Sequence, residues 1–359
     1  MTLFNLDDTF EKRQWRGYLV GVLLLWSGAA GAQSAMFSQY YFSPMNVNPA
    51  LLGTQPHATI GAQHRSQWRN LERPYQASMF SVVKPVTLPT AAQQTGGIGV
   101  TLVNESVGTN RLYRSLEANL GAAYNLSLDR ERTRLLSFGL QGGFTQRRLN
   151  PGQLRWGSQY DPTVGYDPNR ISSVGVLNER VSFASFSAGL VYYYNPSQEL
   201  LLRRVSGFAG LSVSNLNRPY TSFSPVDRAR ASRTLRGHAG LTFPLSPTVK
   251  VLPQALVVYR DAQQSHVNVG SYVHYLLSPS RQPKEKSLEL LAGAWYRWSD
   301  SWVASAGLSY HRYLLAVSYD FNTQPVATHA FRGGAFEVSL AYRWFTKQRM
   351  LRNFSTPMI

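Results

Sequence analysis

From Gly334 to Trp344 every second residue is large and apolar. Phe336, Val338, Leu340, Tyr342 and Trp344 share one face of an extended chain, and Glu337, Ser339, Ala341 and Arg343 share the other. Beyond residue 32 no run of about 18 apolar residues occurs, so that part of the chain carries no helix suited to crossing a bilayer. Charged residues make up only 15% of the chain, while Tyr, Phe, Trp, Gly and Ser are abundant. A closed membrane β-barrel reconciles these features. It satisfies its backbone hydrogen bonds between strands and needs apolar side chains only at alternate positions. Glu337 and Arg343 assign their face to the lumen, because a basic side chain facing mid-bilayer costs about 2–4 kcal/mol.

The alternation recurs. Leu288, Leu290, Ala292, Ala294, Tyr296 and Trp298 oppose Glu289, Gly293 and Arg297. After a Ser299-Asp300 break come Trp302, Ala304, Ala306, Leu308 and Tyr310, then Tyr313, Leu315, Val317, Tyr319 and Phe321 opposite Ser318 and Asp320. Residues 112–126 carry Ser115, Glu117, Asn119 and Gly121 on a second face; Leu136, Phe138, Leu140 and Phe144 share a face, as do Phe186, Ala188, Leu190, Tyr192 and Tyr194. Further strands are expected over 58–68, 75–84, 96–106, 204–215, 233–245, 248–259 and 265–277. The sum is an all-β, outer-membrane-type antiparallel barrel of about fourteen strands over residues 57–359, an even number as bacterial barrels require. Trp295, Trp298, Trp302, Tyr310, Tyr313, Tyr342 and Trp344 fall near the turns, where an interfacial girdle places them. A soluble β-sandwich would alternate equally well, but these strands are long for one and their second face suits a wet lumen.

The N-terminus reads as an export signal over residues 1–32. Lys12, Arg13 and Arg16 precede an apolar run from Tyr18 to Ala30, and Ala30-Gly31-Ala32 has the small-x-small form of a cleavage site. The net charge is +17, and residues 1–32 contribute nothing to it, since their three basic and three acidic residues cancel. That charge is mostly Arg and too scattered for a nucleic-acid stripe, so the expected anionic contacts are lipid headgroups, lipopolysaccharide or acidic protein surfaces. There is no cysteine, and a chain of this size buries a core without disulfide staples.

Chemistry-bearing motifs are sparse. The histidines form no metal-ligand spacing, and His64, His266, His274 and His311 sit within strand patterns as lumen or girdle residues. Asp161 and Asp167, in paired Tyr-Asp-Pro turns, supply too few carboxylates for calcium. No Gly-x-Ser-x-Gly elbow or other nucleophile-base signature is present, so neither an enzyme nor a cofactor site is expected. The run Gly96-Gly97-Ile98-Gly99 lies in a strand pattern and fits close backbone packing. Two long loops break the meander, 147–180 and 217–233. The second concentrates Arg218, Arg228, Arg230 and Arg233 around one acid, Asp227. These arginines are candidates for bidentate contact with a partner's carboxylates or with lipid phosphates.

Residues 33–56 form a separate segment that opens on Phe37-Ser-Gln-Tyr-Tyr-Phe-Ser-Pro44, followed by Asn48-Pro-Ala50 and Gly53. This opening resembles that of the mature PorP/SprF family of Bacteroidetes outer-membrane proteins, which belongs to the type IX secretion system and gliding motility. Matches continue with Arg65-Ser-Gln-Trp68, Gly97-Ile-Gly-Val-Thr-Leu-Val-Asn104, Trp156 with Gln159-Tyr-Asp-Pro162, Gly210-Leu-Ser-Val-Ser-Asn-Leu-Asn-Arg-Pro219, Ser318-Tyr-Asp-Phe321 and a final strand with Phe336-Glu-Val-Ser-Leu340. Ser43 departs from the Asn of many members, and this chain is unusually Arg-rich.

The resemblance implies a non-enzymatic secretion component. Its expected partners are the type IX translocon with its periplasmic ring and motor proteins, and the C-terminal domain of a large secreted adhesin. The alternative is an outer-membrane channel for small or apolar molecules, similar in architecture to fatty-acid transporters. Partner contacts are expected at Phe37, Gln39, Tyr40, Tyr41, Phe42, Pro44, Asn48 and Pro49, packed at the periplasmic mouth or inside the barrel, and at the four loop arginines.

Overall fold

The protein is described by a computed structural model that covers residues 37–68, 74–88, 94–108, 112–130, 133–161, 163–167, 169–170, 177–196, 205–226, 229–260, 263–277, 288–323 and 334–344. Fourteen of the described strands close into one antiparallel barrel. They are β1 (Ala58–Gln67), β2 (Tyr75–Val86), β3 (Gly96–Val107), β4 (Tyr113–Ser127), β5 (Arg134–Leu149), β8 (Arg180–Tyr194), β9 (Ser206–Ser214), β10 (Thr234–Pro244), β11 (Val249–Arg260), β12 (Gln263–Leu276), β13 (Leu288–Arg297), β14 (Ser301–Tyr310), β15 (Tyr313–Asn322) and β16 (Ala335–Trp344). Two short strands, β6 (Tyr160–Asp161) and β7 (Gly165–Tyr166), pair with each other in the long connection from β5 to β8. The barrel closes where β1 meets β16, from Ala58 opposite Trp344 to Gln67 opposite Ala335. Each segment expected from alternation is one barrel strand; β5 and β8 extend farthest beyond expectation, both toward their shared loop.

Because β1 begins and β16 ends at the same rim, that rim is the terminal end, and it also holds the connections 128–133, 245–248 and 311–312. The opposite rim, the loop end, carries 150–179 and 215–233. Alternation separates the two faces as the lipid requires. In β15, Tyr313, Leu315, Val317, Tyr319 and Phe321 point out, while Leu314, Ala316, Ser318 and Asp320 point in and are buried. Trp298, Trp302, Tyr310, Tyr313 and Trp344 are exposed on the outer surface, consistent with an interfacial girdle.

Two expectations need correction. Trp295 does not join the girdle: it faces the lumen and is 2% exposed. Its position decides this, since it shares parity with the lumen residues Gly293 and Arg297. His311 lies outside the strand pattern, in the tight turn between β14 and β15, with a left-handed φ of 55°.

The lumen is filled by the segment Phe37–Thr54. It folds as a 3-10 turn (Tyr40–Phe42), a single helical turn (Pro44–Val47) and a 3-10 helix (Pro49–Thr54). These local forms have a physical reason. The wall's backbone groups are already committed to the barrel ladder, so a chain inside must satisfy most of its own. Pro44 and Pro49 each occupy a first helical position, where the missing N–H costs nothing. Asn48 caps the second helix, its Oδ1 accepting from the Ala50 N–H at 2.9 Å.

Candidate functional site: the lumen plug and its cavity

The plug descends from the loop end to the terminal end. At the loop end, Ser38 and Gln39 donate their backbone N–H groups to the two oxygens of Glu337, at 2.8 and 3.0 Å. The Ser38 hydroxyl donates to Asp320 at 2.8 Å and accepts from Arg65 and Arg297, at 2.6 and 3.0 Å. Arg65 pairs with Asp320 at 2.8 Å and with Glu337 at 3.4 Å; Arg297 reaches Asp320 at 3.4 Å and Asp300 at 2.9 Å. Arg65, Asp320 and Glu337 are essentially dry, which is tolerable only because each charge is paired and hydrogen-bonded. Strand pairing builds the cluster, since Arg65 lies directly opposite Glu337 across the closing seam. The plug backbone completes it.

Below this latch the rings pack. Tyr40 meets Trp295 edge-on, with centroids 5.5 Å apart, and Tyr41 sits 4.9 Å from Tyr272 and 6.0 Å from Trp295. Such pairs each contribute about 0.5–1.5 kcal/mol beyond burial. Phe37 packs separately, against Ala77, Met79 and Val103.

Mid-lumen, the Asn48 amide donates to the carbonyls of Leu190 and Leu211 at 3.0 Å and faces His238 Nε2 at the same distance. Here the plug touches bare wall. A Cβ at Gly139 would collide with the Pro49–Ala50 peptide, and one at Gly189 with the Asn48 side chain. Gly97 is likewise needed to admit the Leu52 carbonyl, consistent with the close-packing reading of that glycine run. At the terminal end, Asn125 and Gln94 donate to the Gly53 carbonyl at 2.6 and 2.8 Å, and Ala50, Leu51, Leu52 and Thr54 are fully buried.

On the other arc of the barrel the plug leaves a cavity of about 460 Å³. Its floor is plug (Phe37, Tyr40, Met45, Val47 and Pro49), and its walls come from β3, β4, β5, β8, β9, β10 and β11. Arg147, Arg236 and Arg260 line it, with Arg230 from the loop above and the carboxylates of Glu105 and Glu117.

The sequence matches the family described as type IX secretion system membrane protein PorP/SprF over residues 29–342. The chain belongs to that family. No curated protein matches the chain. Among solved structures it is similar to a Pseudomonas aeruginosa FadL homologue (10% identity, 83% of this chain and 93% of that one, TM-score 0.47). It is also similar to the P. putida toluene transporter TodX (11%, 86% and 94%, TM-score 0.45) and to BamA from Haemophilus ducreyi lacking POTRA domains 1–3 (9%, 80% and 70%, TM-score 0.37). This PorP/SprF protein is thus an outer-membrane-type barrel of the type IX secretion system.

The expected site residues divide in its lumen. Phe37, Gln39, Tyr40, Tyr41, Phe42, Pro44, Asn48 and Pro49 are all buried within the barrel rather than displayed at its periplasmic mouth. Arg230 stacks on Tyr220, 4.5 Å from the ring centroid, donates to its hydroxyl at 2.6 Å, and shares the cavity with Phe37, Tyr40 and Pro49. Arg218 and Arg233 are exposed outside that lining, and Arg228 lies outside the described residues. The loop is braced by the Tyr220–Arg230 bridge and tied to the neighbouring loop by the Asn178 N–H on the Phe223 carbonyl, at 2.8 Å. In that neighbouring loop Asp161 bonds Thr163 and pairs with Arg170 at 2.8 Å.

Sequence reasoning missed the latch as a unit, although Asp320, Glu337 and Arg297 were each legible as lumen residues. Pairing the strands in order would have set Arg65 against Glu337. It also missed His238, Arg147, Arg236 and Arg260, which carry no motif; their parity in the strands was the available signal.

Proposed function

We propose that this PorP/SprF protein is a non-enzymatic docking barrel of the secretion machinery. It holds translocon and periplasmic ring or motor proteins, or the C-terminal domain of a large secreted adhesin, for export or surface attachment. The observation that carries this reading is the plug. A type IX component whose lumen is filled by its own Phe37–Thr54 segment is suited to work through its surfaces rather than as a conduit. By loop-length asymmetry we read the rim bearing the connections 150–179 and 215–233 as the extracellular one, and the rim where β1 begins and β16 ends as the periplasmic one. The exposed Arg218 and Arg233 then face outward, available to a carboxylate-rich partner or to lipopolysaccharide. In this reading residues 1–32 are removed on export, and the segment from 33 to 56 forms the plug.

Deleting the gene should abolish export or surface retention of one large surface protein while leaving general viability intact. Unchanged secretion in the deletion strain would sink the proposal. Replacing Arg218 and Arg233 by Glu should weaken capture of that cargo by the purified barrel; undiminished capture would remove the loop from the docking surface. The channel alternative makes the opposite demand, since it requires steady ion or solute flux through the wild-type barrel in planar bilayers.

A further inference from the structure

The cavity above the plug differs from the latch in how its charges are settled. Arg147, Arg236 and Arg260 project into it from β5, β10 and β11, and Arg230 overhangs it, against the two carboxylates of Glu105 and Glu117. One of those carboxylates is partly engaged, since Glu117 accepts from the Asn119 amide at 2.8 Å. Arg236 and Arg260 are diagonal neighbours across the β10–β11 ladder, Arg236 opposite Val258 and Arg260 opposite Thr234, so two like charges share a wall. Among the described residues neither Arg147 nor Arg236 has a carboxylate within salt-bridge distance. Arg236 is held by the Ser214 hydroxyl at 2.6 Å. Arg147 lies over the Phe183 ring, 5.1 Å from its centroid, and its buried Nε has no hydrogen-bond partner among the described residues.

Two guanidinium groups that share one wall of a cavity are unfavourable neighbours unless an anion joins them. The remaining lining is amphipathic. Phe37, Tyr40, Val103, Phe183, Leu256 and Val258 supply apolar surface, and serines and threonines of β5, β8, β9 and β10 supply hydroxyls. At about 460 Å³ the cavity falls inside the usual range for small-molecule sites, about 300–1,000 Å³.

We propose that this cavity binds a small organic carboxylate, its head group held by Arg236 beside its diagonal neighbour Arg260 and its apolar body laid against the plug residues Phe37 and Tyr40. Arginine suits the head because its planar fork takes a carboxylate in a bidentate grip. The plug supplies the floor, so a ligand enters and leaves from the loop end. Two sources share this chemistry, a short aliphatic acid and the free C-terminus of a peptide. The site makes the barrel a receptor for a small anion as well as a docking partner, and it stands whether or not the docking reading does.

The test uses the full-length barrel folded in detergent micelles, titrated calorimetrically with decanoate, with decanol, and with a tetrapeptide in free-acid and C-terminally amidated forms. Saturable binding of decanoate but not decanol assigns the site to aliphatic acids. Binding of the free-acid peptide with at least tenfold loss on amidation assigns it to chain termini. In the double variant Arg236→Gln and Arg260→Gln, whichever ligand binds should weaken at least tenfold, with heat-modifiable gel mobility confirming that the barrel remains folded. Equal binding of decanoate and decanol, no binding of either acid at millimolar concentration, or an undiminished affinity in the double variant would each overturn the proposal. The decanol and amide comparisons need only the wild-type protein, so they decide even if the double variant does not fold.

Discussion

Two arcs of one lumen, at similar height toward the loop end, hold the same kinds of side chain and use them oppositely. On the β13–β15–β16–β1 arc, Arg65 and Arg297 face Asp320 and Glu337, and the plug's Ser38 and Gln39 satisfy what remains. On the β5–β10–β11 arc, Arg147 and Arg236 face a cavity. The difference teaches how to read a buried arginine. Where carboxylates and backbone donors close the network, the charge is structural and locks a segment in place. Where hydroxyls, rings and space surround it, the charge is left for something that arrives.

The largest test of that contrast is Glu337→Ala. It strips the acceptor from two plug N–H groups and one partner from Arg65, leaving a buried arginine under-compensated. The expected loss is about 3–5 kcal/mol in urea unfolding of the refolded barrel, with protease cleavage appearing in 37–54. A loss under about 1 kcal/mol would mean that the paired arc is not a lock.

Gly139→Val comes next. It leaves the charges alone and removes the space for the Pro49–Ala50 peptide, so the plug must shift at a cost of about 1–3 kcal/mol. The same variant should show bilayer conductance absent from wild type; a silent barrel would show that the plug tolerates displacement without opening a path.

Arg236→Gln on the cavity arc should change stability by no more than about 0.5 kcal/mol, because it breaks no ion pair and relieves a like-charge neighbour. A loss near that of Glu337→Ala would erase the distinction between the arcs.

The smallest effect is one of pH, outside the barrel. Hydrogen bonds from the Thr163 hydroxyl and N–H hold the Asp161 carboxyl below its ordinary range. A depressed carboxylate contributes order that is fully present above its unfolded pKa, about 3.9, and is lost as pH falls through the lower folded value. Protection against amide exchange, relative to the intrinsic rate at each pH, should therefore fall in the turn around Asp161 only below about pH 4, while protection at Ser38 and Gln39 holds through the same range.

Much of the architecture was legible because a barrel strand reports its two environments at alternate residues. Lipid and lumen differ so sharply that Leu340 and Glu337 declare their faces in a single strand, closure follows from the need to leave no edge in lipid, and a ring of antiparallel neighbours closes only with an even number of strands. The same rule, applied strictly, would have placed Trp295 inside. Its nearness to a turn suggested the girdle, but parity decides the side of a wall and distance along the strand does not. The opening motif was likewise visible as a family identifier and as a cluster of rings and turns.

What the sequence could not express was how that cluster meets the wall. Asn48 finds its partners on strands far along the chain, at Leu190, Leu211 and His238, and Gly139 and Gly189 are bare because Pro49 and Asn48 lie against them. The arginines that are locked and those that face the cavity are also indistinguishable as a string of residues. Lipid imposes a periodic rule on each strand separately, so local order determined the barrel. Only the closed wall, with its strands in register around one plug, decided which charges meet a partner and which are left facing space.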